Sequence, residues 1–205
     1  MQLRLAKFCD AEQLAEVHGI CGSEQSEGFM FKLGKTFLKK YYQIFLNERN
    51  SIIIVAENEN GKIIGFNSGT IKAEEHIEEL RKKKYTLLLA SIPAIIRNPS
   101  LLRNVYLRYK STSNKGEFII TSGPRGEYWA WLPREKNSIG AVALSRGMLD
   151  CMKLLGVKYL RSEINVDNEK LLRVAQTMGA NIVREFETPE GIKRYIMEYV
   201  LDRKK

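Results

Sequence analysis

Cysteine is scarce in this sequence. Only Cys9, Cys21 and Cys151 occur among the 205 residues. An odd number of cysteines without the spacing of paired ligands argues against a disulfide framework and gives no support to a metal site, so no metal is expected. Reduced thiols are typical of cytoplasmic proteins, and we expect that location.

Long apolar stretches are missing as well. The longest runs from Tyr85 to Ile96 and contains Pro93, whereas a membrane-spanning helix needs about 20 apolar residues. The N-terminal stretch MQLRLAKFCD lacks the apolar core of a signal peptide. We therefore expect neither a transmembrane segment nor a secretory signal.

The overall composition suits one globular domain over residues 1–205, because 44% of the residues are hydrophobic and 28% are charged. An excess of 33 Lys and Arg over 24 Asp and Glu gives a net charge of +9. This charge favours an anionic partner such as coenzyme A, a nucleic acid, a membrane surface or an acidic substrate. The basic run Lys82–Lys84 does not have the spacing of a nucleic-acid-binding motif, so no specific nucleic acid is expected.

Hydrophobic periodicity predicts an alternation of strands and helices along the chain. Strands are predicted over residues 2–6, 51–57, 62–71, 117–121, 128–132, 157–165, 181–187 and 195–201. Helices are predicted after Asp10, which is placed to cap the first one, and over residues 35–47, 139–155 and 168–178. Residues 19–32 are predicted to be irregular, and such a segment either folds over a site or covers the core.

A helical insertion is predicted at about residues 73–116. Its charged first helix is followed by two amphipathic pieces on either side of Asn98-Pro99, and a polar loop is predicted over residues 111–116. The apolar residues of the insertion are explained by packing on the sheet or on a partner subunit, by a role in substrate binding, or by contact with a membrane surface. The sequence leaves these alternatives open, and a homodimer is among them.

The strand, loop and helix over residues 128–156 have a geometry that collects anions. The first turn of a helix presents unpaired N–H groups and the positive end of the helix dipole. Ser138 is placed to cap this helix, and Gly140 and Ala141 leave the N–H groups uncovered, so a diphosphate is expected here. The alternative is an ordinary connection between a strand and a helix.

Three further stretches carry a resemblance to a known family: GKIIGFNSGTI, FKLGKTFLKKYYQIFL and INVDNEKLLRVAQTMGANIVREF. Together with the predicted order of elements, they resemble the third strand, the second helix and the segment before the last hairpin in the GNAT-type N-acyltransferase superfamily. Apart from the insertion, the resemblance covers nearly the whole chain. It implies an α/β (α+β) fold, in which a mixed, mostly antiparallel central sheet is flanked by helices.

The resemblance also implies a site for acyl-CoA. The family's loop has the form Q/R-x-x-G-x-G/A, and the aligned residues here run from Glu135 to Gly140, of which only the final glycine matches. Arg134 and Lys136 are placed to offset the charge of Glu135. The implied cofactor-binding residues are Trp129, Ala130 and Trp131 for pantetheine, Lys136, Asn137, Ser138, Ile139, Gly140 and Ala141 for the pyrophosphate, and Asn168 in the following segment.

Acyl transfer to an amine needs a group that takes a proton from the amine and a donor at the carbonyl oxygen. Glu127 and Tyr128 on the central strand and Glu163 on the next one are the candidate catalytic residues. The alternative for Glu163 is a cross-strand ion pair, and the alternative for the two tryptophans is a place in the core. Many relatives carry a tyrosine that protonates the departing thiolate, and this position is Ala175 here. His18 is expected to be structural.

The resemblance therefore implies an N-acyltransferase, most simply an N-acetyltransferase. Acetyl-CoA or another acyl-CoA is its expected co-substrate, and the acceptor is expected to be a primary amine of a small molecule or sugar. The acceptor is predicted to enter between residues 19–32 and the insertion. The alternative is a GNAT-fold binding or regulatory protein without turnover, which Glu135, Ser138 and Ala175 favour.

Overall fold

A computed structural model gives the fold of the chain and describes residues 1–23, 29–113, 120–188 and 191–202, with the backbone alone over residues 108–113. Within these residues, seven strands form one sheet. The strands are β1 (Gln2–Leu5), β2 (Ser51–Glu57), β3 (Ile63–Thr70), β4 (Arg125–Trp131), β5 (Tyr159–Asn165), β6 (Ala180–Glu187) and β7 (Lys193–Val200). The helices are α1 (Ala11–Ser23), α2 (Phe29–Lys32), α3 (Lys35–Leu46), α4 (Ala73–Lys82), α5 (Lys84–Arg97), α6 (Leu101–Ser113), α7 (Ser138–Leu154) and α8 (Glu169–Thr177).

The strands follow the order β1-β2-β3-β4-β5-β7-β6 across the sheet. Neighbouring strands are antiparallel except for β4 and β5, which are parallel because α7 connects them. This mixed, mostly antiparallel sheet with flanking helices confirms the predicted fold class.

Apolar cores lie on both faces of the sheet. Tyr42 and Phe45 of α3 pack in one core with Val55 of β2. Met148 of α7 packs in the other core with Ile54, the residue before Val55. Successive side chains of a strand point to opposite faces, so the uninterrupted apolar run of β2 supplies both cores at once.

The insertion between β3 and β4 is helical, as predicted. Leu87 of α5 packs against the core that includes α3, whereas Tyr85, Leu89 and Ile96 of the same helix are exposed. Packing on the body of the protein therefore explains the inner face of the insertion. Residues 111–113 continue α6, so the predicted loop is wrong there, and its remaining residues lie outside the described part of the chain.

Two other boundaries differ from the predictions. Helix α1 continues through Gly19 to Ser23, although irregular structure is predicted from residue 19, because Cys21 and Gly22 are buried there. Strand β4 begins at Arg125, inside a stretch that the sequence marks as a turn, because Arg125 pairs with residues of both β3 and β5. Ile120 and Thr121 are not in a strand, and the rest of the strand predicted over residues 117–121 is outside the described residues.

Trp131 packs directly on the backbone of Gly65 across the β3–β4 pair. A Cβ atom at Gly65 would lie 2.5 Å from Cε3 of Trp131 and 2.9 Å from the carbonyl oxygen of Ala130. The missing side chain thus makes room for the indole ring, whose Nε1 donates a hydrogen bond to the carbonyl oxygen of Glu135 at 2.8 Å. This contact anchors the loop that precedes α7.

The substitution Gly65→Ala is expected to lower the free energy of unfolding by about 1–3 kcal/mol, because the added methyl group must displace the indole ring. Gly19→Ala is the matched control, since no described atom of the rest of the fold lies within 4 Å of the added Cβ. Inside a helix this change is expected to raise stability by about 0.5–1 kcal/mol. Urea titrations measure both values, and a Gly65→Ala variant as stable as the wild type would contradict the tight contact.

Candidate functional site

Strands β4 and β5 part soon after they meet. Their pairing consists of Arg125 with Arg161 and Gly126 with Ser162, although β4 continues to Trp131 and β5 to Asn165. The gap between them is a cavity of about 100 Å³, here called the splay cavity. Its walls include Tyr128 and Trp129 of β4, Glu163 and Ile164 of β5, Met148 and Leu149 of α7, Ala175 and Met178 of α8, and Tyr199 of β7.

Glu127 lies at the point where the two strands part. On the β3 side, Ser68 pairs with Tyr128 and Gly69 with Gly126, which leaves Glu127 as the extra residue of a β-bulge. A bulge bends the strand and re-aims the side chains at that point. As a result, Glu127 lines the splay cavity and also lines a second cavity, which lies among the helices.

Alternation along β4 turns two backbone amides toward the splay. The N–H of Tyr128 donates to Ser68 Oγ at 3.1 Å, and the N–H of Leu132 donates to the Ile64 carbonyl oxygen at 2.9 Å, both on the β3 side. Successive amides of a strand point in opposite directions within the sheet. The N–H groups of Trp129 and Trp131 therefore point toward the opening, whereas the amide of Ala130 faces β3.

Buried charges surround Glu127. Arg125 Nε lies 3.3 Å from Glu127 Oε1, and Arg125 Nη2 lies 3.9 Å from Glu163 Oε1. Glu163 also accepts hydrogen bonds from Arg194 Nη1 at 3.2 Å and from the N–H of Ile120 at 2.9 Å. Both Glu163 oxygens are thus engaged, as the ion-pair alternative predicts, whereas Glu127 Oε1 has no hydrogen-bond partner among the described residues.

The second cavity, here called the helical cavity, lies among α2 to α6 and β4 and encloses about 280 Å³. Arg125 and Glu127 belong to its lining. Tyr41 lines it too, and the Tyr41 hydroxyl lies 3.4 Å from Nε2 of His76, whose Nδ1 is 2.9 Å from the Glu48 carboxylate. A carboxylate only accepts, so Nδ1 carries the proton and, in the neutral ring, Nε2 accepts from the Tyr41 hydroxyl.

Asn137, rather than the predicted Ser138, caps α7. Asn137 Oδ1 accepts a hydrogen bond from the N–H of Gly140 at 2.8 Å, and Ser138 is the first helical residue. A Cβ atom at Gly140 would lie 2.7 Å from Met1 Sδ and 2.8 Å from Asn137 Nδ2, so a larger residue there would have to displace Met1 and the capping side chain. The first turn is exposed at Ser138 and Ile139. Their N–H groups are the part of the predicted anion site that the cap leaves uncovered.

Asn168 caps a helix in the same way. Its Oδ1 accepts from the N–H of Leu171 in the first turn of α8, at 3.2 Å. A cap of this kind is worth about 1 kcal/mol and accounts for asparagine at this position without a ligand.

His18 and Tyr128 form a stacked pair, with ring centroids 3.7 Å apart and planes 6° apart. His18 Nδ1 also lies 2.6 Å from the Tyr42 hydroxyl. Burial lowers the pKa of His18 from 6.5 to about 3, so the ring is neutral near pH 7. Burial raises the pKa of Tyr128 above its ordinary value, and the Tyr128 hydroxyl has no hydrogen-bond partner among the described residues.

Tyr199 of β7 is a second phenol on the wall of the splay cavity, which Ala175 also lines. Burial raises the pKa of Tyr199 to about 12, so its hydroxyl remains protonated at neutral pH. Tyr199 is not among the candidates that the sequence indicates. The alternation of the last strand, which puts Tyr195, Met197 and Tyr199 on one face, is the signal that could have found it.

Comparison with known proteins gives matches in structure only. No protein-family model and no curated protein sequence matches the chain. An acetyltransferase of the GNAT family from Streptococcus pneumoniae superposes with a TM-score of 0.60 at 14% identity, over 97% of this chain and 98% of that one. The chain has the GNAT fold. At identities this low, the likeness of such structures shows the fold alone.

Two further structures with the GNAT fold cover the whole chain. Aminoglycoside 6′-acetyltransferase type Ii has a TM-score of 0.62 at 9% identity, with 100% of both chains covered. The yncA protein of Salmonella typhimurium, solved with its cofactor acetyl-CoA, has a TM-score of 0.57 at 11% identity, over 100% of this chain and 96% of that one. The insertion is therefore accommodated without loss of the shared architecture.

Two negative observations concern the described residues. Among residues 1–23, 29–113, 120–188 and 191–202, no group of three or more His, Cys, Asp and Glu side chains could hold a metal ion. Over the same ranges, no helix combines the length and the apolar character that crossing a membrane requires.

The acid dependence of stability tests the structural role of His18. The unfolded chain binds a proton near pH 6.5 and the folded ring does not, so this contribution to stability is present above that pH and is lost on acidification toward pH 3. At pH 5 the loss is about 2 kcal/mol. Urea titrations measure the fall in the free energy of unfolding between pH 7 and pH 5. We expect this fall to be about 2 kcal/mol smaller in His18→Gln than in the wild type. An unchanged fall would mean that folded His18 accepts the proton.

Proposed function

We propose that the protein is an N-acyltransferase that transfers an acyl group, most simply acetyl, from acyl-CoA directly to a primary amine. One observation carries this proposal: Glu127 lines both the splay cavity and the helical cavity. A thioester in the splay cavity and an amine in the helical cavity would meet at this carboxylate. The side chain of Glu127 is 8% exposed, so bulk water would have little access to the reacting atoms.

In this mechanism the amine arrives as an ammonium ion and Glu127 removes one proton. The freed lone pair attacks the thioester carbonyl carbon, the C–N bond forms and the C–S bond breaks. The attacking nitrogen then loses a second proton, and the products are the amide and the coenzyme A thiolate, which takes a proton. One proton of the ammonium ion thus stays on Glu127, and the second balances the one taken up by the sulfur. A strand amide that faces the splay, such as the N–H of Trp129, would stabilise the charge on the carbonyl oxygen.

A phenol would supply the proton to the thiolate. Tyr128 and Tyr199 both line the splay cavity, and burial raises the pKa of each hydroxyl. Burial disfavours the phenolate, so each hydroxyl is protonated at neutral pH. A phenol that passes its proton to the departing sulfur would take up the second proton of the attacking nitrogen in return. Ala175 leaves room beside Tyr199, which makes Tyr199 the preferred candidate.

The coenzyme would lie along β4 and reach α7. The pantetheine amides would pair with the C=O of Trp129 and the N–H of Trp131, which face the splay cavity, and this leaves the N–H of Trp129 for the thioester carbonyl oxygen. The pyrophosphate would bind at the first turn of α7, where the N–H groups of Ser138 and Ile139 are exposed, close in sequence to Lys136. The cap formed by Asn137 removes the N–H of Gly140 from this set.

The cap also supports the alternative function, a GNAT-fold binding protein without turnover. A phosphate that used the N–H of Gly140 would have to displace the Asn137 side chain. Coenzyme affinity separates the two functions, because a transferase must bind acyl-CoA whereas the alternative has no such requirement.

Substitution of Glu127 tests its assignment as the general base. Glu127→Gln keeps the shape of the side chain and removes the base, so kcat in a thiol-release assay is expected to fall about 10²–10⁴-fold. The affinity for acetyl-CoA should stay the same. Glu163→Gln tests the second candidate. Because both oxygens of Glu163 accept hydrogen bonds, this substitution is expected to lower stability and to reduce kcat much less than Glu127→Gln does. The reverse result would move the base to Glu163.

Calorimetric titration with acetyl-CoA tests the pyrophosphate site. The wild type is expected to bind with a Kd of about 1 µM–1 mM, the usual range of substrate affinities. Ile139→Glu puts a negative charge at the exposed first turn of α7 and should weaken binding about 10-fold or more. Leu154→Glu puts the same charge at an equally exposed position, since Ile139 and Leu154 are 83% and 88% exposed.

Leu154 lies about 20 Å along the helix from Ile139. At this distance, salt screens the interaction between the added charge and a bound pyrophosphate. Leu154→Glu should therefore keep the wild-type affinity. Equal weakening by both substitutions would contradict the site at α7. A wild type that does not bind acetyl-CoA at millimolar concentration would favour the function without turnover.

A further inference from the structure

We infer that the acceptor is a small apolar primary amine, of the arylalkyl or alkyl type, rather than an amino sugar or a polyamine. The inference rests on the proposed acyl transfer and names the acceptor class for the same site. It is carried by the helical cavity, whose walls, polar end, charge and volume all select this kind of molecule.

The walls of the helical cavity are apolar. Helices α2 to α6 all contribute apolar side chains to the lining, including Met30, Phe37, Ile77, Leu80 and Leu88. A sugar placed among them would bury hydroxyl groups without hydrogen-bond partners, which is unfavourable. An alkyl chain or an aromatic ring would bury its apolar surface against the same walls, and removing that surface from water is favourable.

The polar end of the cavity offers acceptors to a donor group. When the His76 ring is neutral, the Tyr41 hydroxyl donates its hydrogen bond to Nε2, so only its lone pairs remain for a ligand. Burial, followed by the nearby Glu127 carboxylate, raises the pKa of Tyr41 well above its ordinary value, so this hydroxyl does not ionise. Glu127 Oε1 is a second buried acceptor without a hydrogen-bond partner in the described part of the chain. Two acceptors suit the N–H groups of one amine.

The charge of the lining admits one amine and opposes several. Among the described residues of the lining, Glu127 is the one carboxylate, and it lies 3.3 Å from Arg125. Arg81 and Lys84 add positive charge to the lining. A polycation would therefore bring several ammonium groups to a lining whose described part offers one carboxylate.

The volume of the cavity suits a small molecule. The cavity encloses about 280 Å³, roughly twice the volume of a buried apolar cavity that holds one benzene molecule, about 150 Å³. An aromatic ring with a short aminoalkyl arm matches this space, and so does a linear amine of similar size. An aminoglycoside, with several linked rings, exceeds it.

The first measurement compares acceptors in a thiol-release assay with acetyl-CoA. The probes are 2-phenylethylamine, n-butylamine, n-hexylamine, glucosamine and kanamycin. The value of kcat/KM is expected to be at least about 100-fold higher for 2-phenylethylamine than for glucosamine, and to rise about 10-fold or more from butylamine to hexylamine. Calorimetry of 2-phenylethylamine with the full chain, in the absence of coenzyme, gives a readout that does not depend on turnover.

Two substitutions on one helix test the wall. Leu88 lines the cavity, whereas its neighbour Leu89 does not, and the two are 44% and 66% exposed. Leu88→Glu is expected to weaken 2-phenylethylamine binding and kcat/KM by about 10-fold or more. Leu89→Glu adds the same charge outside the cavity and should leave both within about 2-fold.

Two tyrosines of α3 test the polar end. Tyr41→Phe removes the acceptor in the cavity and is expected to raise the KM for the amine by about 10-fold, since a hydrogen bond to a charged group is lost. Tyr42→Phe removes a buried hydroxyl that is bonded to His18 and does not line the cavity, so the KM should not change. Wild-type affinity for acetyl-CoA in each variant serves as the check that it folds.

The outcomes separate this inference from the proposed function. Preference for apolar amines, lost in Leu88→Glu and kept in Leu89→Glu, supports the inference. Faster acetylation of glucosamine or kanamycin would overturn the acceptor class and leave the acyl transfer standing. Binding of 2-phenylethylamine without thiol release from any probe would overturn the acyl transfer, and with it the role of the cavity as an acceptor site. Absence of both binding and acetylation of apolar amines would overturn the inference outright.

Discussion

Parallel pairing between β4 and β5 lasts for only two residue pairs, and the candidate site depends on the gap that follows. A strand that leaves its neighbour has backbone N–H and C=O groups that need other partners. Here the gap lies between α7 and α8, and apolar side chains of both helices line it. The result is a narrow slot with backbone donors along one wall, a shape suited to an extended molecule that carries amide groups of its own.

The bulge at Glu127 connects this slot with the helical cavity. Without an extra residue in β4, Glu127 would continue the pairing with β3, and its side chain would take the alternation of an ordinary strand. The carboxylate is kept in an otherwise apolar place by Arg125, which also approaches Glu163, while Arg194 engages Glu163 from β7. Buried ion pairs of this kind add little to stability. Their effect here is to hold one carboxylate, with an oxygen that lacks a hydrogen bond, between two cavities.

The sequence predicted much of the fold, and the reasons are local. Apolar residues at helical spacing in α3 and an uninterrupted β-branched run in β2 indicate their structure without knowledge of the neighbours. The errors also have local causes. Asn137 and Ser138 are both good capping residues, and periodicity does not choose between adjacent positions. The turn residues around Gly123 and Gly126 concealed the start of β4, because pairing with two strands at once is a long-range property.

The sequence by itself determined most of the order of elements, the helical insertion, the loop before α7 and Glu127 as a candidate, because each of these follows from position and spacing along the chain. Only the tertiary structure decided which side chains meet. In the sequence, Tyr41 belongs to the apolar face of one helix and His76 to a charged helix. In the structure, the two side chains meet at one end of the helical cavity. Arg125 reads as a turn residue and becomes the partner of two buried carboxylates. The physical reason is that periodicity records how deeply each residue is buried, whereas contacts between distant elements depend on the register of the sheet and on how the helices pack across it.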